Sequence, residues 1–168
     1  RPRAGSPVLA TVLFTDIVGS TRKQAELGDR RWRELLLAHH SLVRDALSHW
    51  GGTEHDTAGD GFFASFAGPA RAIHCAHEVA ERVAGLGLET RAGVHIGECE
   101  IIDGKPGGLA VTIAARLLGV AGPREVVVSQ TVKDLVAGSG FSFTVRGEQE
   151  LKGVPDLWRL YVAEPTEG

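Results

Sequence analysis

The stretch TEHDTAGDGFFASF, residues 53–66, decides how this chain folds. Residues 53–57 and 62–66 have the composition of strands, and Ala58-Gly59-Asp60-Gly61 between them has turn chemistry, so the segment reads as a β-hairpin. A hairpin pairs its strands antiparallel, which argues against a doubly wound parallel sheet. Working outward, VLATVLF at 8–14 is a β-branched run read as a buried strand, and Ser20 and Thr21 supply capping chemistry ahead of a helical stretch. Trp32, Leu36, His39, Val43, Leu47 and Trp50 recur at helical spacing and predict one long amphipathic helix, stopped by Gly51-Gly52. Downstream, 69–83 reads as a second helix. Residues 88–98 read as a strand, with Arg91, Gly93 and His95 on one face and Ala92, Val94 and Ile96 on the other. Residues 104–108 read as a Gly-rich loop and 111–120 as a helix. The remainder predicts strands at 126–128, 141–145 and 157–162 and a short helix at 131–136. Strands and helices mixed with hairpins predict an α+β fold.

The chain has 168 residues, enough for one domain with a sizeable core. Its 43% hydrophobic and 23% charged residues are those of an ordinary globular protein. A formal net charge of -3 gives no global field toward nucleic acid or anionic lipid. No apolar run reaches the length of a membrane span, and the sequence opens on no signal peptide. Residues 1–7 read as a linker, 8–164 as the domain and 165–168 as a tail. With no Met in the chain, this reads as a piece of a longer protein with a further domain upstream. Cys75 and Cys99 read as buried thiols of a reducing, cytoplasmic compartment. The seven histidines show no metal-ligand spacing; His39-His40 and His74/His77 fall on helical patterns, at the surface or the core edge.

Taken alone, Asp16 after a strand and Asp60 in a Gly-Asp-Gly turn are each ordinary turn residues. Together they are two carboxylates at strand ends beside glycines that admit a ligand. No P-loop pattern is present to hold phosphates, so metal and cationic side chains would have to do so. Paired carboxylates suit oxygen-ligated Mg²⁺ or Mn²⁺ in a two-metal site.

The blocks VLFTDIVGST at 12–21, GDGF at 59–62, GVHIGE at 93–98, AVTIAARL at 110–117 and LKGVPDLWRLY at 151–161 occur in one order. In that combination the chain resembles the class III nucleotidyl cyclase catalytic domain, in its bacterial, mycobacterial-like form, over nearly its whole length. The resemblance implies a ferredoxin-like α+β core and a head-to-tail homodimer with active sites at the interface. It implies cyclisation of ATP or GTP by attack of the ribose 3′-OH on the α-phosphorus, with loss of pyrophosphate. Asp16 and Asp60, with the backbone carbonyl of Ile17, would hold two metal ions. Arg116 from the partner chain would stabilise the α-phosphoryl oxygens in the transition state, and Lys152 would contact phosphate.

Three positions depart from the family pattern. The residue four before the second metal aspartate reads the purine and is usually lysine in adenylyl cyclases; here it is Asp56. Its counterpart, usually aspartate, is Lys105. A transition-state asparagine position holds Thr112. Asp56 and Asp60 fall on one face by period-2 counting, yet in a symmetric dimer they would serve different sites. The swapped pair complements guanine: Asp56 would accept from N1–H and Lys105 would donate to O6. Against adenine, Asp56 would meet the N1 lone pair. The plainer alternative is an exposed Lys105–Asp56 ion pair of about 0–1 kcal/mol with no role in specificity. Among bacterial members the family favours ATP, so both bases stay open. Thr112 also fits as a helix N-terminal residue bonding the backbone, and Arg116 as a surface arginine. The function class that competes with a cyclase is a degenerate cyclase domain that binds nucleotide or a partner without useful turnover. An RNA-binding ferredoxin-like domain lacks its aromatic signature and basic charge here.

Overall fold

The hairpin forms as read. Strand β2 (Thr53–Ala58) pairs antiparallel with β3 (Gly61–Phe66), and Gly59 closes the turn at φ +59°. The computed structural model describes residues 6–166. The reading of a linker over 1–7 and a tail over 165–168 therefore lies mostly outside the described residues, except that Pro7 already opens a strand. That strand, β1 (Pro7–Ile17), runs past the expected end at Phe14, so Asp16 sits on a strand and not in a turn. Helices α1 (Ser20–Leu27) and α2 (Asp29–Trp50) follow, broken at Gly28. Ser20 and Thr21 do not cap α1: the N-cap is Gly19, in the left-handed region at φ +66°, with no side-chain cap bond. Gly51 ends α2 in the left-handed conformation, as the sequence predicts.

Helix α3 (Pro69–Ala84) leads to β4 (Thr90–Ile102). The order β2-β3-β1-β4, antiparallel throughout, with helices after β1 and β3, is the ferredoxin-like arrangement. The 104–108 segment is not all loop. Asp103 and Gly104 take positive φ (53° and 76°), a two-residue turn that folds β5 (Lys105–Gly107) back onto β4 with Ile102 opposite Lys105. Helix α4 (Leu109–Val120) then crosses to β6 (Val126–Ser129), the one parallel partner of β4. After α5 (Gln130–Leu135), strands β7 (Ser142–Glu150) and β8 (Leu157–Glu164) complete the order β2-β3-β1-β4-β6-β8-β7.

The two faces of β4 are covered as its alternation predicts. Ala92, Val94 and Ile96 join Leu13, Val43, Leu47, Ile73 and Val79 in the main core beneath α2 and α3. Gly93 meets α4 on the other face, where an added Cβ would lie 2.4 Å from Leu118 N and 2.6 Å from Ala114 O. No side chain other than hydrogen fits between that strand and helix. His95 Nδ1, on the same face, hydrogen-bonds Ser129 Oγ at 2.7 Å while Ser129 caps α5 through the Val132 N–H. Cys75 and Cys99 are buried free thiols, and burial pushes Cys75 up to about 12. His39 lies in the core. His74 stacks on Trp50, and His77 donates to the Ala163 carbonyl at 2.8 Å, both at the core edge.

Candidate active site

Three clusters gather the residues singled out by the sequence. In the first, Asp60 reaches from the β2–β3 turn to the end of β1, where its Oδ2 accepts the Ile17 N–H at 2.7 Å. The period-2 count that put Asp56 and Asp60 on one face stops at Ala58, where β2 ends. Asp60 belongs to the turn and points its carboxylate sideways to β1, while Asp56 lines the cleft. Asp16, one residue before Ile17, is held by Arg91 in a bidentate pair, Nε to Oδ1 at 2.8 Å and Nη2 to Oδ2 at 3.1 Å. Arg91 is the direct register partner of Asp16 across β1 and β4. The carboxylates of Asp16 and Asp60 both keep the guanidinium firmly charged.

Arg91 was absent from the sequence-derived set. Its site role depends on strand register between positions 75 residues apart, which no local motif encodes. The available signal was its alternation with Gly93 and His95 on one strand face, read there only as geometry.

The cluster tests whether a metal would fit. A cation, the guanidinium, already sits against Asp16, and the side-chain donors are hard oxygens, the two carboxylates, with the Ile17 carbonyl added by the family resemblance alone. Among the described residues no group of three or more His, Cys, Asp or Glu side chains comes together. Two carboxylates are too few for an all-protein cage, but they match Mg²⁺ or Mn²⁺, which keep water and take phosphate oxygens from a ligand. The residues fit the ion.

The second cluster is the charge-swapped pair. Lys105 Nζ donates to Asp56 Oδ2, joining the β4–β5 turn to β2. Both side chains are about half exposed, 43% and 57%. A bulge between Glu54 and Asp56 places His55 and Asp56 consecutively on one face: His55 bonds Ser65 Oγ, Asp56 meets Lys105, and Glu54 turns to Arg44. With Asp16, Phe14, Phe63, Pro106 and Leu118, the pair lines a cleft of about 610 Å³. Phe14 and Phe63 stack at 4.8 Å along its wall.

The third cluster lies on α4 and the β7–β8 connection. Arg116 Nε donates to the Lys152 carbonyl at 2.9 Å, so the two predicted phosphate-binding residues adjoin. Arg116 is exposed. Thr112 sits one turn earlier on α4, with its backbone N–H on the Gly108 carbonyl at 3.3 Å. The cleft holding Asp16 is lined by Asp56 and Lys105 but not by Arg116 or Lys152.

The fold has counterparts among known proteins. The model of the "Adenylate and Guanylate cyclase catalytic domain" matches residues 7–164. "Putative adenylate cyclase 3" of Rhizobium meliloti is 28% identical over 170 residues, covering 95% of this chain and 29% of that protein. This chain spans between 18% and 56% of the length of the curated relatives it matches. Among solved structures, an adenylate/guanylate cyclase/hydrolase from Silicibacter pomeroyi superposes with a TM-score of 0.84 at 26% identity, over 95% of this chain and 98% of that one. The adenylyl cyclase CyaB from P. aeruginosa shares the fold at TM-score 0.84 and 20% identity, over 95% of each chain. A family match from Pro7 to Glu164, on a sheet ordered as the motifs imply, makes this chain a member of the adenylate and guanylate cyclase catalytic domain family.

Proposed function

We propose that this domain is a metal-dependent purine nucleotidyl cyclase that forms a 3′,5′-cyclic nucleotide and pyrophosphate as a homodimer. The observation that carries the reading is that Asp60 reaches across to the Ile17 N–H, next in the chain to Asp16, and that both carboxylates, 44 positions apart (60 − 16), keep Arg91 charged. Asp16, Asp60 and the Ile17 carbonyl would hold two Mg²⁺ or Mn²⁺ ions. Bound there, the metal lowers the pKa of the ribose 3′-OH and neutralises the triphosphate. Arg91 is the resident counter-ion of this carboxylate pair and shares Asp16 with the incoming ion.

The other half-site comes from the partner chain. With its Nε tied to the Lys152 carbonyl, Arg116 keeps its terminal nitrogens for the α-phosphoryl oxygens. The Thr112 hydroxyl orients the ribose. Being shorter than asparagine, it holds the nucleophile more loosely, a difference that reaches a factor of about 10² in rate for a misplaced nucleophile. Lys152 faces the departing phosphates. The 3′-OH gives its proton to solvent water, the 3′-oxygen bonds to the α-phosphorus as the bond to the bridging oxygen breaks, and the electron pair leaves with pyrophosphate. Asp56 and Lys105 meet the base edge and favour GTP, whereas the family leans to ATP. A solved guanylate cyclase domain from Catenaria anguillulae is described "in complex with GTP" and shares the fold at TM-score 0.83.

A second reading is a nucleotide-binding or dimerisation module with little turnover. It is favoured by Thr112 and by the engagement of Lys105 with Asp56, which occupies both groups with each other.

The test is cyclic-nucleotide formation from MnATP and MnGTP side by side, over a range of protein concentration. GTP product in excess supports base reading by Asp56 and Lys105; ATP product in excess removes it. Asp16→Ala and Arg116→Ala are each expected to be inactive yet to regain activity when mixed, since one composite site is then intact. No product from either nucleotide at concentrations where the dimer is demonstrated selects the second reading.

A further inference from the structure

Asp60 stands between two glycines in a turn, a poor setting for a carboxylate that must be placed precisely. Two contacts hold that turn. One is the Ile17 N–H on Asp60 Oδ2. The other comes from behind: His40 Nε2, on α2, donates to the Gly59 carbonyl at 2.8 Å. The same helix grips the hairpin again one turn later, where Arg44 pairs bidentately with Glu54 at 2.9 and 3.1 Å. Between these grips Phe62 meets the edge of His40 at 5.2 Å and lies under the Arg44 guanidinium at 5.4 Å. Helix α2 thus clamps both ends of the hairpin from the face opposite the cleft.

We propose that His40 is a positioning residue for the carboxylate site, fixing the Gly59–Asp60 turn so that the Asp60 carboxylate stays on the Ile17 N–H. The effect on metal rests on the cyclase reading above; the effect on the turn does not. His40 lies outside the cleft lining and bonds neither Asp16 nor Asp60. It acts through one carbonyl, and a glycine with positive φ has no side chain to replace that restraint.

Amide hydrogen exchange on the metal-free protein tests it first. His40→Ala is expected to speed exchange at Ile17 roughly five-fold, the worth of one net hydrogen bond. The melting temperature falls by no more than about 2–4 °C, and exchange in α3 accelerates less than at Ile17. His40→Gln, which keeps a donor at similar reach, restores slow exchange. Mn²⁺ titration followed by electron paramagnetic resonance, with a 3′-deoxynucleoside triphosphate that cannot cyclise, is expected to show binding weakened by about the same factor in His40→Ala. Unchanged exchange at Ile17, acceleration spread evenly over the domain, or no rescue by Gln would each overturn the proposal. Asp60→Asn is the control for the metal reading. If it binds Mn²⁺ as the parent does, that reading fails, and the Ile17 exchange still decides the role of His40.

Discussion

The two faces of the sheet are built to different specifications. Beneath α2 and α3 one continuous core runs from Trp32 to Ala163, with Leu13, Ile73 and Val94 almost fully buried. The other face is covered by α4 and the β7–β8 connection, over two smaller clusters centred on Leu117 and on Val12. Beyond α4 that face opens into the cleft with Phe14, Asp16, Asp56 and Lys105. Burial of a large apolar side chain contributes about 1.5–3 kcal/mol, so the helix-rich face carries most of the stability. The thinner face is left free to present polar groups.

The largest expected effect tests whether the thin face is nevertheless rigid. Gly93→Ala drives a methyl into the α4 backbone and is expected to cost about 3 kcal/mol, the upper end of overpacking penalties. Chemical denaturation would read this, and a cost under 1 kcal/mol would show that α4 can lift away from the sheet. Next is the cleft pair. Reversing both charges, Asp56→Lys with Lys105→Asp, is expected to move the GTP-to-ATP ratio of kcat/KM toward ATP by roughly 10–100-fold. Stability should move little, because the pair is half exposed. An unmoved ratio would reduce the pair to a surface contact.

A pH effect sharpens the contrast, because each face buries one histidine. Burial pushes His39, on the inner side of α2, and His95, on the β4 face toward α4, down to about 4 from the ordinary 6.5. Between those values the unfolded chain takes up protons that the fold refuses. Stability is therefore expected to be full above pH 6.5 and to decline as pH falls toward about 4. His39→Leu should flatten part of that slope in urea unfolding, since both His39 nitrogens are buried without a hydrogen-bond partner. The smallest effect is outside both faces. Arg30–Glu34 spans 4.0 Å with side chains 87% and 70% exposed, and Arg30→Ala should change the melting midpoint by no more than the equivalent of about 0.5 kcal/mol.

Much of the helix-rich face was legible in the sequence, because α2 and α3 repeat apolar residues at helical spacing and the hairpin alternates. What escaped reading lies mostly on the functional side. Polar Thr15-Asp16 disguised the last residues of β1, where Asp16 pairs with Arg91, 75 positions away in sequence on the neighbouring strand β4. Strand β5 is only three residues long; its one signal was Asp103-Gly104, a dipeptide that closes tight hairpins. The His55 bulge has no local signature, since the shift exists only relative to β3. Motif order identified the family and its residues, whereas register and bulges decided which of them meet.

The contact at Gly93 has a mechanical meaning. With the α4 backbone lying against β4 and nothing compressible between them, helix and strand move as one piece. Arg116 rides on that helix, and Arg91, clasping Asp16, rides on that strand. Neither half of the proposed machinery in one chain can be retuned by sliding α4. In the proposed dimer, the remaining degree of freedom is the rocking of one whole domain against its neighbour, which sets the gap between one chain's guanidinium and the other's carboxylates.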